Sequence, residues 1–317
     1  MLRQGFFVYF SDMFFFIVLI YEITRVIYGV ATSMDRPTAP MRMASISSPP
    51  EHLPGVNNLN KTELLGALAL CAFSFMAHAE EAPMRIGIEA AYPPFSFKTS
   101  DGDIGGFDYD IGNALCEEMK AKCTWVVQEF DGMIPSLKVR KVDAVLSSMS
   151  ITEDRLKSVD FSKKYYHTPG KFAMKAGNVL NDPLVDLKGK RVGVQRSSTY
   201  DRFATQKLET AGVVVVRYST QSEAFLDLIA GRLDATLADI IYTDESFIKT
   251  PKGEGYALVG PDINDPNFFG RGAGIAVRKG DKANVDRLNA AIDAIRANGK
   301  YEQVMAKYFT YDIYGQQ

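Results

Sequence analysis

Apolar and polar positions follow two regimes along the chain. From residue 84 onward, short runs of β-branched and small apolar residues alternate with longer stretches whose apolar residues recur at helical spacing. The short runs at 85–88, 124–127, 144–146, 192–194, 213–216 and 235–237 predict strands, and 109–120, 133–139, 222–230 and 284–297 predict helices. Strands separated by helices predict an α/β architecture with parallel sheets. Before residue 80 no periodic pattern holds: 6–28 is strongly apolar, 37–60 is rich in Pro, Ser and Asn, and 64–76 is apolar again.

The second apolar run follows Lys61 and ends in Ala77-His78-Ala79. A short hydrophobic stretch before a small-x-small site predicts a secretory signal at 59–79, cleaved after Ala79, and hence an exported, periplasmic protein. As an uncleaved anchor the run is short for a hydrocarbon core of ~30 Å. The first run, 4–21, reaches spanning length only by including Asp12. A signal this far from the N-terminus is abnormal, so 1–58 is read as a non-native or disordered extension arising from an upstream start. Leu70 precedes Cys71 where a lipid-modified cysteine wants a small residue, so Cys71 belongs to the hydrophobic run.

Composition narrows the chemistry. With 36 basic against 38 acidic residues there is no cationic surplus to neutralise phosphates, so nucleic acid is not an expected partner. Three histidines and three cysteines, widely dispersed, offer few places for a metal site or a histidine-based triad. No metal and no cofactor are expected. After Ala79 the two remaining cysteines, Cys116 and Cys123, stand near a predicted helix end and the next strand. An even count suits an oxidising compartment, where an unstrained disulfide closing so short a loop stabilises by roughly 2–3 kcal/mol. The alternatives are two buried thiols or a redox pair, although the spacing is not Cys-x-x-Cys.

Two internal echoes divide the chain. Arg85-Ile86-Gly87-Ile88-Glu89 is matched by Arg191-Val192-Gly193-Val194-Gln195, and Lys141-Val142-Asp143-Ala144-Val145-Leu146 by Arg232-Leu233-Asp234-Ala235-Thr236-Leu237, in the same order. Two similar lobes follow. Open α/β sheets bind ligands beyond the carboxyl ends of their strands. Residues 89–92, 147–150, 195–199 and 238–239 are therefore candidates by position, and a cleft between the lobes could enclose a small polar molecule.

From Met84 to Gly315 the chain resembles the periplasmic solute-binding proteins of polar amino-acid ABC transporters (family 3), closest to the lysine/arginine/ornithine-binding, arginine-binding and histidine-binding group. The resemblance is carried by Tyr-Pro-Pro-Phe at 92–95, Gly-Phe-Asp-Tyr-Asp-Ile-Gly at 106–112 and Phe-Asp-Gly-Met-Ile-Pro-Ser-Leu-Lys at 130–138. It continues through Val-Asp-Ala-Val-Leu-Ser-Ser-Met-Ser-Ile-Thr-Glu-Asp-Arg at 142–155, Leu-Lys-Gly-Lys-Arg-Val-Gly-Val at 187–194 and Phe-Phe-Gly at 268–270. It implies the two-lobed periplasmic-binding-protein fold (type II) with two crossover hinge strands. Lobe 1 would be 84–168 plus 271–317, lobe 2 would be 172–263, and the hinge would lie at 169–171 and 264–270. The implied partners are one amino-acid ligand and an inner-membrane ABC permease, with the chain a monomer.

The resemblance also implies roles. Arg155 would clamp the ligand α-carboxylate through a planar fork, against the plainer reading of a surface arginine. Ser148 and Ser150, with Ser147 more loosely, would supply hydroxyl and backbone groups, or serve as turn and cap residues before the helix at Thr152. Ser198 and Thr199 would bring backbone amides at a helix N-terminus to the same carboxylate, with Arg196 standing where several relatives have glycine. Asp239 would take the α-ammonium group, or cap the helix after it. Tyr92 and Phe130 would sandwich the side chain, unless they are core. His167 is read as structural. Glu89, with Gln195 among the binding residues, would reach the far end of the side chain, and a carboxylate there suits a planar guanidinium better than a hydrated ammonium. The expected function is delivery of a cationic amino acid, arginine before ornithine and lysine, without covalent chemistry. A histidine preference, or a cyclohexadienyl dehydratase-like enzyme on the same fold, is the alternative.

Overall fold

A computed structural model describes residues 82–315. The extension assigned to 1–58 and the signal at 59–79 lie outside the described residues. Thirteen strands are present among those described: β1 (Met84–Ile88), β2 (Ala91–Tyr92), β3 (Ser96–Lys98), β4 (Ile104–Gly105), β5 (Cys123–Val127), β6 (Ala144–Val145), β7 (Val159–Tyr166), β8 (Gly170–Lys175), β9 (Arg191–Gln195), β10 (Val214–Tyr218), β11 (Ala235–Asp239), β12 (Tyr256–Ile263) and β13 (Ala273–Arg278). They form two five-stranded sheets, ordered β5-β1-β6-β13-β7 and β10-β9-β11-β8-β12, and a small β2-β3-β4 sheet. Each large sheet anchors one lobe of the two-lobed α/β fold.

The two orders are the same order. β1 and β9 hold equivalent places, as do β5 and β10, and β6 and β11. The echoed sequence is the cause. Asp143 precedes β6, and its carboxylate accepts from the Arg85 backbone N–H at 3.1 Å and from Arg85 Nε and Nη2 at 2.9 Å each. Asp234 precedes β11 and accepts from the Arg191 backbone N–H at 2.7 Å. The basic-x-Asp turn thus pins the start of one strand to the start of its neighbour in both halves.

The six predicted strands all form, but the expectation of parallel sheets needs correction. β1 pairs in parallel with β5 and β6, and β9 with β10 and β11, whereas β13 is antiparallel to β6 and β7, and β8 is antiparallel to β11 and β12. The reason is the connection. The chain passes from the first sheet to the second through 167–169 and returns through 264–272, so β8 and β13 each enter a sheet from the other lobe rather than through a helix within their own. Such strands have no helix-strand rhythm to betray them.

Two features of the first lobe set up the cleft. Gly106, with φ 115°, lets the chain turn so closely over Phe95 that a Cβ there would sit 2.4 Å from the Phe95 carbonyl oxygen. It launches the helix Phe107–Glu118, whose inner face buries Phe107, Ile111 and Leu115. Cys116 near that helix's end is joined to Cys123 at the start of β5 by a disulfide, fastening the helix to the edge strand.

Candidate functional site

The polar residues after the parallel strands converge. Glu89 follows β1, Ser147, Ser148 and Ser150 follow β6, Gln195 ends β9 with Ser198 and Thr199 beyond it, and Asp239 ends β11. These eight, with Tyr92, Phe130 and Arg155, line one pocket of about 600 Å³, counting the solvent at its mouth. All eleven residues singled out from sequence are therefore brought together, from both lobes.

On the first lobe, Arg155 stands in the short helix Glu153–Leu156, capped by Thr152, whose hydroxyl accepts from the Arg155 N–H. Its guanidinium donates to the carbonyl oxygens of Ser150 and Ser197, both at 3.0 Å, the second reaching across to the other lobe. Its Cζ lies 5.5 Å from the centre of the Phe130 ring. No carboxylate is within ion-pair distance of it among the described residues. Burial, and then the neighbouring Arg202, push its pKa down to about 10.

Glu89 is almost fully buried. Its backbone N–H donates to Ser147 Oγ at 2.9 Å, and Gln195 Nε2 donates to its Oε1 at 2.7 Å. Glu89 and Gln195 are the matched residues of the first echo, so the pseudo-equivalent strand ends meet across the cleft. Burial pushes the Glu89 carboxyl up to about 8, opposed by the Gln195 bond and reinforced by Glu129, Asp131 and Asp108.

The second lobe presents capped helix ends. Ser198 Oγ accepts from the Asp201 N–H at 3.1 Å, capping the helix Thr199–Phe203, and donates to the Gln195 carbonyl at 2.6 Å. Arg196 does not spoil this loop. Its Nη2 donates to Ser219 Oγ at 2.9 Å, and its Nε lies 3.7 Å from Asp131 of the first lobe. Asp239 does cap a helix: its Oδ1 accepts from the N–H groups of Ile241 and Tyr242 at 2.8 and 3.0 Å, while its Oδ2 takes the Thr168 hydroxyl. Burial pushes its carboxyl up to about 6 against those bonds.

Several contributors escaped sequence reasoning. Tyr166 at the end of β7, Thr168 of the first crossover, Tyr200, and Phe269, Gly272 and Ala273 at the second crossover also line the pocket, as does His167, which the sequence alone reads as structural. Tyr92 lies flat on Tyr242 of the other lobe, with ring centres 3.9 Å apart and planes 3° apart, so one of its faces is already covered. Asp108, fully buried behind the pocket, accepts from Ser148 Oγ and from the Tyr165 hydroxyl, both at 2.9 Å. Burial pushes it up to about 7, opposed by those two bonds. Asp108 shares the first turn of its helix with Asp110, where acidic residues are ordinary, so the sequence does not single it out.

The cleft thus holds one guanidinium lacking a carboxylate partner and two buried carboxylates, with aromatic faces between. Comparison with known proteins identifies the family. The pattern of the bacterial extracellular solute-binding proteins, family 3, matches residues 84–311. The chain is 61% identical over 257 residues to the L-arginine-binding protein of Pseudomonas aeruginosa, covering 81% of this chain and 99% of that one. It is 41% identical over 252 residues to the lysine/arginine/ornithine-binding periplasmic protein of Escherichia coli, covering 80% and 96%. A solved structure of an ancestral arginine-binding protein bound to arginine is similar at 36% identity with a TM-score of 0.67, over 73% of this chain and 99% of that chain. The chain belongs to the bacterial extracellular solute-binding proteins, family 3.

Proposed function

We propose that the protein is a periplasmic receptor for a cationic α-amino acid, arginine before ornithine and lysine, and that it acts as a monomer handing its ligand to an inner-membrane ABC permease. One observation carries this reading: the charges in the cleft complement such a ligand. Arg155 awaits a carboxylate, while Asp239 and Glu89 are buried carboxylates awaiting cations. A ligand with one carboxylate and two cationic groups pairs with all three, ionising Glu89 as it binds, whereas a neutral amino acid offers Glu89 no cation and leaves it protonated. The names of the relatives point the same way. In this reading Tyr92 and Phe130 hold the aliphatic stem, Ser147, Ser148 and Ser150 complete the first-lobe side, and Ser198 and Thr199 present helix N-terminal amides to the carboxylate. The lobes, 84–168 with 271–317 and 172–263, close about the crossovers as hinge.

Calorimetric titration of the purified protein with the twenty amino acids, ornithine and citrulline tests the reading. Arginine should bind tightest, ornithine and lysine next, histidine behind them, and acidic or neutral amino acids far behind. A preference for a neutral amino acid would refute it. One feature favours an enzymatic alternative: a carboxyl held near 8 carries its proton at neutral pH, as a general acid must. Turnover of prephenate or arogenate would establish that alternative, and the expected outcome is none.

A further inference from the structure

Ser148 occupies an unusual place. It is a non-glycine residue with φ 51°, in the left-handed region, three residues after the end of β6 and in the wall of the pocket. Three side-chain bonds hold it there. Its N–H donates to the Tyr165 hydroxyl at 3.0 Å, that hydroxyl donates to Asp108 Oδ1 at 2.9 Å, and Ser148 Oγ donates to Asp108 Oδ2 at 2.9 Å. The ring is closed, with Ser148 in the pocket wall and Asp108 and Tyr165 behind it. Asp108 does not line the pocket.

Above pH 7 the Asp108 carboxyl is ionised, and an ionised carboxylate only accepts, so each of its oxygens claims one hydroxyl proton. Once the Ser148 proton is committed inward, Oγ has only lone pairs left for the cleft. A serine without such a partner can offer a proton or a lone pair as the ligand requires. This one is polarised in advance. We propose that Asp108 is a positioning residue that acts through Ser148, fixing its hydroxyl as an acceptor so that this side of the cleft selects an ammonium group and disfavours an uncharged or anionic substituent. The inference rests on the amino-acid-binding reading above and adds a residue to it that touches no ligand. Replacing Asp108 by Asn puts an N–H donor beside Ser148 Oγ or the Tyr165 hydroxyl, which frees the Ser148 proton to turn into the cleft.

The test is a double-mutant cycle read by calorimetry with two ligands, arginine and 5-guanidinopentanoate, which lacks the α-ammonium group. Wild-type binding of arginine establishes the underlying reading independently of the cycle. Asp108→Asn should weaken arginine about tenfold, the scale of one hydrogen bond to a charged group, and leave 5-guanidinopentanoate within about twofold. Ser148→Ala should weaken arginine similarly, and the double variant should be no worse than either single one. Additive losses, or equal losses for both ligands, would overturn the proposal. Should Asp108→Asn not fold, Asp108→Ser takes its place in the cycle with the same expected and overturning outcomes, and equal weakening of the two ligands by Ser148→Ala overturns the proposal by itself. Tyr165→Phe removes the backbone tether but keeps the Ser148 to Asp108 bond, and it should preserve the ratio of the two affinities. A changed ratio would place the effect in the backbone conformation instead.

Discussion

The two lobes furnish the cleft differently although their sheets are laid out alike. In the second lobe, the polar groups facing the cleft have structural employment. Ser198 and Asp239 cap helices, and Gln195 Nε2 is shared between Glu89 and the Ser219 carbonyl. In the first lobe, the charged groups do little for the fold. Arg155 holds only two carbonyl oxygens, and the side chain of Glu89 has a single bond, from Gln195. The lesson is that a residue can be tested for binding on one side without disturbing the fold, whereas on the other side binding and stability are tied to the same atoms.

The largest expected effect tests the first half of that statement. Arg155→Ala should weaken arginine by at least about 100-fold, because it leaves a buried ligand carboxylate without its paired charge. The melting temperature of the empty protein should not fall, since a half-buried guanidinium with no carboxylate partner and Arg202 beside it is removed. Affinity surviving within a few-fold would show the clamp to be elsewhere. A large loss of melting temperature would erase the contrast between the lobes.

Asp239 tests the second half. Asp239→Asn keeps a good helix cap but removes the charge, and should weaken arginine about 30-fold while leaving the melt nearly unchanged. Asp239→Ala should lose binding as well and cost about 1 kcal/mol of stability in the empty protein, the usual value of a cap. If both variants melt alike, the capping bonds at 2.8 and 3.0 Å contribute nothing to stability.

Glu89 sharpens the comparison through pH. Its carboxyl stands at about 8 in the empty cleft, and a bound guanidinium favours the ionised form, so arginine binding below pH 8 requires a proton to leave. Affinity should be complete above pH 8 and fall by up to about tenfold per unit as pH drops below it. Asp108, at about 7, and Asp239, at about 6, add their own losses only further down. The Glu89→Gln variant should lose the slope between pH 8 and 7 and should discriminate less between arginine and citrulline. Parallel profiles, or equal losses for both ligands, would place Glu89 outside the charge pairing. In the empty protein the sign reverses: the folded pKa lies above the ordinary 4.5, so stability falls as pH rises from about 4.5 to 8 and Glu89→Gln should melt higher than wild type at pH 8.

Much of this contrast was legible in the chain, for a definite reason. The echoed strands lead into Glu89, Ser147, Gln195 and Asp239, and short continuous apolar runs followed by polar residues mark strand ends whatever the fold around them. What stayed hidden depends on distant segments. β7 passes to β8 with no helix between them, β12 passes to β13 with only the short helix Pro266–Phe269, and the flat contact of Tyr92 with Tyr242 joins opposite lobes. The bond from Ser148 to Asp108 spans 40 positions, and no local periodicity reports which helix start will lie behind which strand end.

The smallest expected effect concerns the echoes themselves, at the ends of the strands remote from the cleft. Asp143 accepts from the Arg85 backbone, from Arg85 Nε and Nη2, and from Arg278 Nη1 at 3.2 Å, so it ties β1, β6 and β13 together. Its counterpart Asp234 accepts from the Arg191 backbone at 2.7 Å, with Arg191 Nε only at 3.8 Å. The same turn therefore does more in the first lobe, where Arg278 of β13 adds a third strand to its contacts. Asp143→Ala should lower the melting temperature more than Asp234→Ala, and both losses should be modest because exposed ion pairs contribute little. Raising the salt concentration should shrink the gap, since screening weakens the exposed arginine contacts more than the backbone bonds that both aspartates share. Neither variant should change the ranking of ligands, since the pocket lies at the opposite ends of the same strands. A gap that persists at high salt would assign the difference to the backbone bonds, and a larger loss for Asp234→Ala would mean that the tie to the returning strand β13 carries no weight.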